Sequence, residues 1–238
     1  MEVAAKSVNI QLLKLRISEG NVEAVKELIP KIGNINQQLE HGWTILHMSV
    51  AKGEEEIVNI VLEANADPNI CTNGNTSPLM TAVNKGHLKI VEILIQKGAN
   101  VNHQDEVNCS VLFSACLSGN EEIVDRLLNA NADPNICTED KKCPLMMASQ
   151  MGHVSIIKKL LLAEADIDKE DSEGQTAFQI AMKYCMYEAV EVLPLPEVFK
   201  RLLIDLKDEN VDVDEVKEKV VTMLKNLPSL PSPKLITL

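Results

Sequence analysis

The sequence predicts an all-α solenoid: short helical hairpins, joined by extended loops, stacked side by side. Three observations carry this reading. A glycine recurs at Gly20, Gly53, Gly86, Gly119 and Gly152, one every 33 residues, and a fixed period of about 20 to 50 residues marks a stacked repeat chain. Each period holds two short apolar segments, too short to be domains of their own. A polar loop then separates each pair from the next.

The first helix of each period opens at Thr44-Ile45-Leu46-His47, Ser77-Pro78-Leu79-Met80, Ser110-Val111-Leu112-Phe113, Cys143-Pro144-Leu145-Met146 and Thr176-Ala177-Phe178-Gln179. A hydroxyl followed by proline reads as an N-cap with proline at the first helical position. The recurring glycine then ends that helix. The second helix follows at Ile57–Leu62, Ile90–Leu94, Ile123–Leu128 and Ile156–Leu161, with apolar residues at i, i+3 and i+4 forming one buried stripe.

These second helices close at Asn65, Gly98 and Asn131, the residue types that best tolerate the left-handed conformation. Glu164 holds the equivalent place one period later, which predicts a strained or differently closed turn. At the ends the pattern loosens, as terminal repeats with a polar outer face require. The first unit keeps Gly20, Val25, Leu28, Gly33 and Asn36, but Gln11 stands where a helix start is expected; the last keeps Gly174, Thr176 and Ala181, with Cys185 in place of the glycine. Pro194 and Pro196 predict an end to the last repeat helix near Leu193. The expected organisation is a repeat domain over 1–193 with four full repeats between two degenerate ones, a helical hairpin or cap over 194–227, and a disordered tail over 228–238.

The register resembles the ankyrin repeat family. Gly42, Thr44, Leu46, His47, Gly53, Ile57, Val58 and Leu62 match its pattern in one repeat, and Pro78, Leu79, Ala82, Gly86, His87, Ile90, Val91, Leu94, Gly98, Ala99 and Asn102 in another. The resemblance covers about residues 8 to 193. It implies that His47 hydrogen-bonds Thr44, that His87 and His153 are turn residues, and that partners meet the loop fingertips and first helices along a concave groove.

Composition narrows the function classes. A formal charge of -12 argues against nucleic acid, whose phosphates demand a basic face. The apolar runs fall well short of the roughly 20 residues that span a bilayer, so no membrane insertion is expected, and the N-terminal residues carry no secretory pattern. Six cysteines without a C-x-x-C pair argue against a zinc cluster and a disulfide framework, and fit thiols in an intracellular, cytoplasmic setting. Cys71 and Cys137 occupy one loop position two repeats apart, too far for a disulfide. Asn75-Thr76-Ser77 and Asn108-Cys109-Ser110 match the glycosylation sequon, a weak signal without a secreted context. No catalytic motif occurs, so the chain is read as no enzyme, with neither cofactor nor metal.

What remains is surface. By the family register, the residues before each helix-start hydroxyl face solvent: Trp43, Thr76, Cys109, Lys142 and Gln175. Those before the repeat glycines face the groove, among them Lys52, Asn84, Lys85, Leu117, Ser118, Gln150 and Met151; His41 completes the candidate partner-binding set. Trp43 is the only tryptophan, and tryptophan dominates interface hot spots. Tyr184 extends the apolar track, Lys183 the basic one, and Asp105, Glu106, Glu139, Asp140, Glu170, Asp171 and Glu173 make the fingers acidic. The expected function is a protein-interaction scaffold or adaptor, monomeric alone, for a peptide or domain with an apolar anchor and a basic flank. Two alternatives compete. One is a regulatory or inhibitory subunit of an enzyme. The other is a ubiquitin-ligase adaptor, since Leu193-Pro194-Leu195-Pro196 with Phe199, Leu202 and Leu203 looks like the end of a suppressor-of-cytokine-signalling box. The resemblance also makes Asn102 and Asn135 possible substrates of an asparaginyl hydroxylase.

Overall fold

A computed structural model describes residues 2–194. Twelve α-helices pair into six hairpins among the described residues: α1 (Glu2–Glu19) with α2 (Val22–Leu28), α3 (Ile45–Lys52) with α4 (Glu55–Glu63), α5 (Pro78–Lys85) with α6 (Leu88–Gln96), α7 (Val111–Ser118) with α8 (Glu121–Asn129), α9 (Pro144–Met151) with α10 (Val154–Leu162), and α11 (Ala177–Lys183) with α12 (Tyr187–Val192). The chain divides into two compact units, Met1–Ala132 and Asp133–Leu238. The expected cap over 194–227, the tail over 228–238 and the ligase-box reading fall outside the described residues from 195 onward.

The expected helix starts hold, for a simple reason. The first turn of a helix leaves backbone N–H groups without partners, and a nearby side-chain oxygen can accept from one of them. Thr44, Ser77, Ser110 and Thr176 each accept from the backbone N–H three residues on. Cys143 occupies the same N-cap position on α9, but makes no side-chain cap bond.

The repeat glycines end the first helices in the left-handed region, with φ of 85° at Gly53, 71° at Gly86 and Gly119, and 70° at Gly152. Gly53 has a second reason to lack a side chain: the His87 ring lies against it, where a Cβ would collide at 2.7 Å. The degenerate ends bring one correction and one agreement. α1 runs straight through Gln11 from Glu2, so no helix starts there. Cys185 keeps the left-handed conformation of the glycine it replaces, at φ 58°.

In the first unit, α1, α3, α5 and α7 pack in series, and α2, α4, α6 and α8 do likewise. The core lies between these two layers. Leu46, Ile57, Val58, Leu79, Ile90, Leu94, Ile123 and Leu127 are each at most 1% exposed within it. In the second unit α9 packs on α11 and α10 on α12, burying Leu145, Ile156, Ile157, Leu160 and Phe178. Burial of one such side chain stabilises by about 1.5–3 kcal/mol.

Asparagines stitch neighbouring repeats together. Asn36, Asn69, Asn102 and Asn135 donate their side-chain N–H to the carbonyls of residues 65, 98, 131 and 164, each 29 positions on. The Oδ1 atoms of Asn36, Asn69 and Asn135 accept from the backbone N–H of Asp67, Asn100 and Asp166. Each carbonyl receiving an asparagine belongs to the left-handed residue closing a second helix. Glu164, at φ 60°, matches Asn65 and Asn131, both at 62°. The turn at Glu164 is therefore closed the same way as the others, contrary to the alternative of a different closure. It carries the backbone strain of a non-glycine residue there. α12 stops at Val192, and Leu193 is already extended at ψ 134°, as Pro194 requires.

Candidate functional site

The candidate surface is built from fingertip hairpins and the ends of the first helices. Each fingertip carries a backbone bond spanning four residues: Leu39 to Trp43, Thr72 to Thr76, Asp105 to Cys109, Thr138 to Lys142 and Asp171 to Gln175, all between 2.7 and 3.0 Å. Side chains support the closure. Thr72 and Thr138 accept through Oγ1 from the N–H of Thr76 and Lys142, each at 3.2 Å. The Oδ1 of Asp105 accepts from Val107 and Cys109, and that of Asp171 from Glu173 and Gln175. Neighbouring fingertips are joined in each unit: Asn73 donates to the His41 carbonyl, and Ser172 to that of Asp140.

This closure corrects the expected exposure of one set of candidates. Trp43, Thr76, Cys109, Lys142 and Gln175 are half-buried rather than solvent-facing, because each is a rung of its hairpin. Trp43 packs its ring on His47, with centroids 5.8 Å apart at a 49° tilt. The residues before the glycines stand clearer. His41, Lys52, Asn84, Lys85, Leu117 and Ser118 are exposed on the first unit; on the second, Met151 is exposed and Gln150 half-buried. The acidic fingers divide as well. Glu106, Glu139, Asp140, Glu170 and Glu173 are exposed, but Asp171 is buried and Asp105 half-buried, their carboxylates spent on turn closure. Lys183 pairs with Glu173 at 2.9 Å, and Tyr184 is half-buried.

Four exposed apolar residues escape the sequence reading: Val8 and Leu15 on α1, Val107 at a fingertip, 53% exposed, and Leu162 at the end of α10, 86% exposed. For the last two the signal was present in the register: Leu162 stands where Glu63, Gln96 and Asn129 stand, and Val107 where Gly74 and Asp140 stand.

His47 and the thiols are explained by neighbours, whereas the Nε2 atoms of His87 and His153 are buried without a hydrogen-bond partner among the described residues. His47 Nδ1 lies 2.9 Å from Thr44 Oγ1 and accepts the Thr44 N–H, while Nε2 lies 3.1 Å from the Thr76 carbonyl. A carbonyl only accepts, so Nε2 carries the proton and the ring is neutral. Burial lowers the His47 pKa, with the Thr76 bond opposing. The six cysteines are reduced. Burial raises the pKa of Cys116, and it also leads the upward shifts of Cys71 and Cys109. Among the described residues, no group of three or more His, Cys, Asp or Glu side chains could hold a metal ion, and no helix is long and apolar enough to cross a membrane. A family model described as ankyrin repeats (3 copies) matches residues 13–105 and 112–201, and with the helical hairpins and fingertips above it shows that this chain belongs to the ankyrin repeat family.

Proposed function

We propose that the chain is a non-catalytic interaction module that holds a partner protein against the fingertips and first helices of its first unit. Ankyrin repeats generally mediate protein–protein interaction. The observation carrying the specific reading is Leu117, a large apolar side chain 47% exposed at the end of α7, where core packing asks nothing of it. The same unit also exposes Ser118, Asn84, Lys85 and Lys52 at first-helix ends, and Val107 and Glu106 at a fingertip. An apolar anchor seats on Leu117 and Val107, and a basic flank meets Glu106; charge pairs of this kind set register more than affinity. Trp43, held by His47, supplies a rigid aromatic edge, a type enriched among hot spots.

Peptide ligands selected from a random displayed library against the full chain test this reading, with affinities then measured by calorimetry. Leu117→Ser and Trp43→Ala are each expected to weaken binding by at least about 1 kcal/mol, with Leu162→Ser neutral. Ligands that bind Leu117→Ser as tightly as the parent protein would place the interaction elsewhere.

A further inference from the structure

One fingertip differs from its counterparts in carrying cysteine on both sides. In the fingertip of α7, Gln104 and Ser110 face each other as an antiparallel bridge. The bonds flanking them run from Asp105 N–H to the Cys109 carbonyl and from Val111 N–H to the His103 carbonyl. A pair placed between such bonds is of the non-hydrogen-bonded type, with Cα atoms about 4.5 Å apart. Cys137 and Cys143 are the same two positions one period later. Their hairpin is closed by Thr138 N–H to the Lys142 carbonyl at 3.0 Å, the counterpart of the Asp105–Cys109 bond; Pro144 has no N–H to form the second rung. A pair at that spacing falls within the span a disulfide bridges, about 4.4–6.8 Å between Cα atoms. The Cys143 thiol already donates to Cys137 Sγ.

Cys143 is the N-cap of α9, where Thr44, Ser77, Ser110 and Thr176 all make a side-chain cap bond; its sulfur faces the Leu145 and Met146 N–H groups but makes no such bond. We propose that Cys137 and Cys143 form an oxidation site, closing a reversible disulfide across this fingertip when a peroxide reaches it. Cys137 is half-buried and within reach of solvent, and Cys143 is 1% exposed behind it. That order suits Cys137 as the attacking sulfur and Cys143 as the resolving one.

The groups facing Cys137 favour its thiolate. Hydrogen bonding from Cys143, then the charge and hydrogen bond of Lys169, pull it down against burial and Asp133; Cys143 is pushed up, chiefly by donating to Cys137 and then by burial, against the N–H groups of Met146 and Leu145. The Asn135 carbonyl 3.4 Å from Sγ opposes ionisation. Cys71 has the identical contact with Asn69 at 3.4 Å, but faces His103 at 3.5 Å and carries Ser77 opposite.

In the reaction, the Cys137 thiolate attacks a peroxide oxygen. An S–O bond forms, the O–O bond breaks, and hydroxide leaves, taking up the proton Cys137 released to become water. The Cys143 sulfur then attacks the sulfenic sulfur. The S–S bond forms, the S–O bond breaks, and a second water carries off the Cys143 proton. Two thiols lose two electrons, which reduce one peroxide.

The test treats reduced full-length protein with hydrogen peroxide, blocks remaining thiols with N-ethylmaleimide under denaturing conditions, and identifies peptides by mass spectrometry. Expected are joint loss of label at Cys137 and Cys143, a linked peptide two hydrogens lighter that reduction splits, and loss at Cys137 at least about tenfold faster than at Cys71. Cys143→Ser restores a capping hydroxyl, so the variant folds; in it Cys137 stops at the sulfenic acid and is trapped by dimedone. Equal rates at Cys137 and Cys71, or absence of the linked peptide, would overturn the proposal.

Discussion

The two units obey one lattice with different residues at its hardest positions. In the first unit the left-handed turns after both kinds of helix are held by Gly20, Gly53, Gly86, Gly119, Asn65, Gly98 and Asn131, and the N-caps of α3, α5 and α7 are all hydroxyls. In the second, Gly152 is the only glycine at such a turn among the described residues; Glu164 and Cys185 fill the others, at φ 60° and 58°, and Lys141 replaces asparagine at a fingertip at φ 57°. The N-cap of α9 is a cysteine without a cap bond. The backbone follows the same path regardless. Turn geometry is therefore set by burial of the helix stripes and by the asparagine bonds between repeats. Local residue preference decides only how much strain the turn stores, about 1–2 kcal/mol for each ordinary residue held left-handed.

The comparison breaks most decisively at the repeat glycine. Gly53→Ala is expected to lower the unfolding free energy by at least about 2 kcal/mol, since left-handed strain adds to the collision with His87. Cys185→Gly, the reverse change at the equivalent position, should raise it by about 1 kcal/mol. Urea titrations of both variants measure this; a destabilising Cys185→Gly would mean that the thiol makes a contact worth more than the strain.

Smaller effects sharpen the picture. Glu164→Asn keeps the left-handed turn with a tolerant residue, so the Asn135 bond to its carbonyl survives and stability rises by about 0.5–1 kcal/mol. Cys143→Ser supplies the missing cap on α9, again about 1 kcal/mol at most. If neither changes the urea midpoint, the second unit is not strained at these positions.

The smallest effect concerns pH. Among the described residues two helices open with a reciprocal capping box, Thr44 with His47 on α3 and Thr176 with Gln179 on α11. Only the first titrates. Because the folded His47 pKa lies below its ordinary value of 6.5, its contribution is fully present above that pH and is lost as pH falls through the folded value. The parent protein should therefore lose more stability between pH 8 and pH 5 than His47→Gln, which copies the α11 box. Parallel pH dependence in the two proteins would refute the assignment.

Most of the fold was legible because it rests on local chemistry repeated in register. The Ser77-Pro78 start, the Gly86 stop and the Ile90–Leu94 stripe each encode one piece of local geometry. The candidate surface was legible only in part. Leu117, Met151 and Lys85 stand at helix ends whose exposure follows from the helix period, and they are exposed. Trp43, Thr76, Cys109 and Lys142 do not follow it. Their burial comes from hairpin closure, and a loop without periodicity does not announce which of its residues are rungs. Asp105 and Asp171 read as surface charge for the same reason, although their carboxylates hold turns.

Residue order was enough to establish the helices, their caps and the stacking period, because those depend on neighbours a few positions apart and on the burial of one stripe per helix. Three things depended on approach in space. His87 against Gly53 shows why that glycine tolerates no side chain. The asparagine bonds to residues 29 positions on show why Glu164 adopts a glycine's conformation. The fold of a fingertip sets Cys143 opposite Cys137, turning a helix-start residue and a loop residue into a pair of sulfurs within reach of each other.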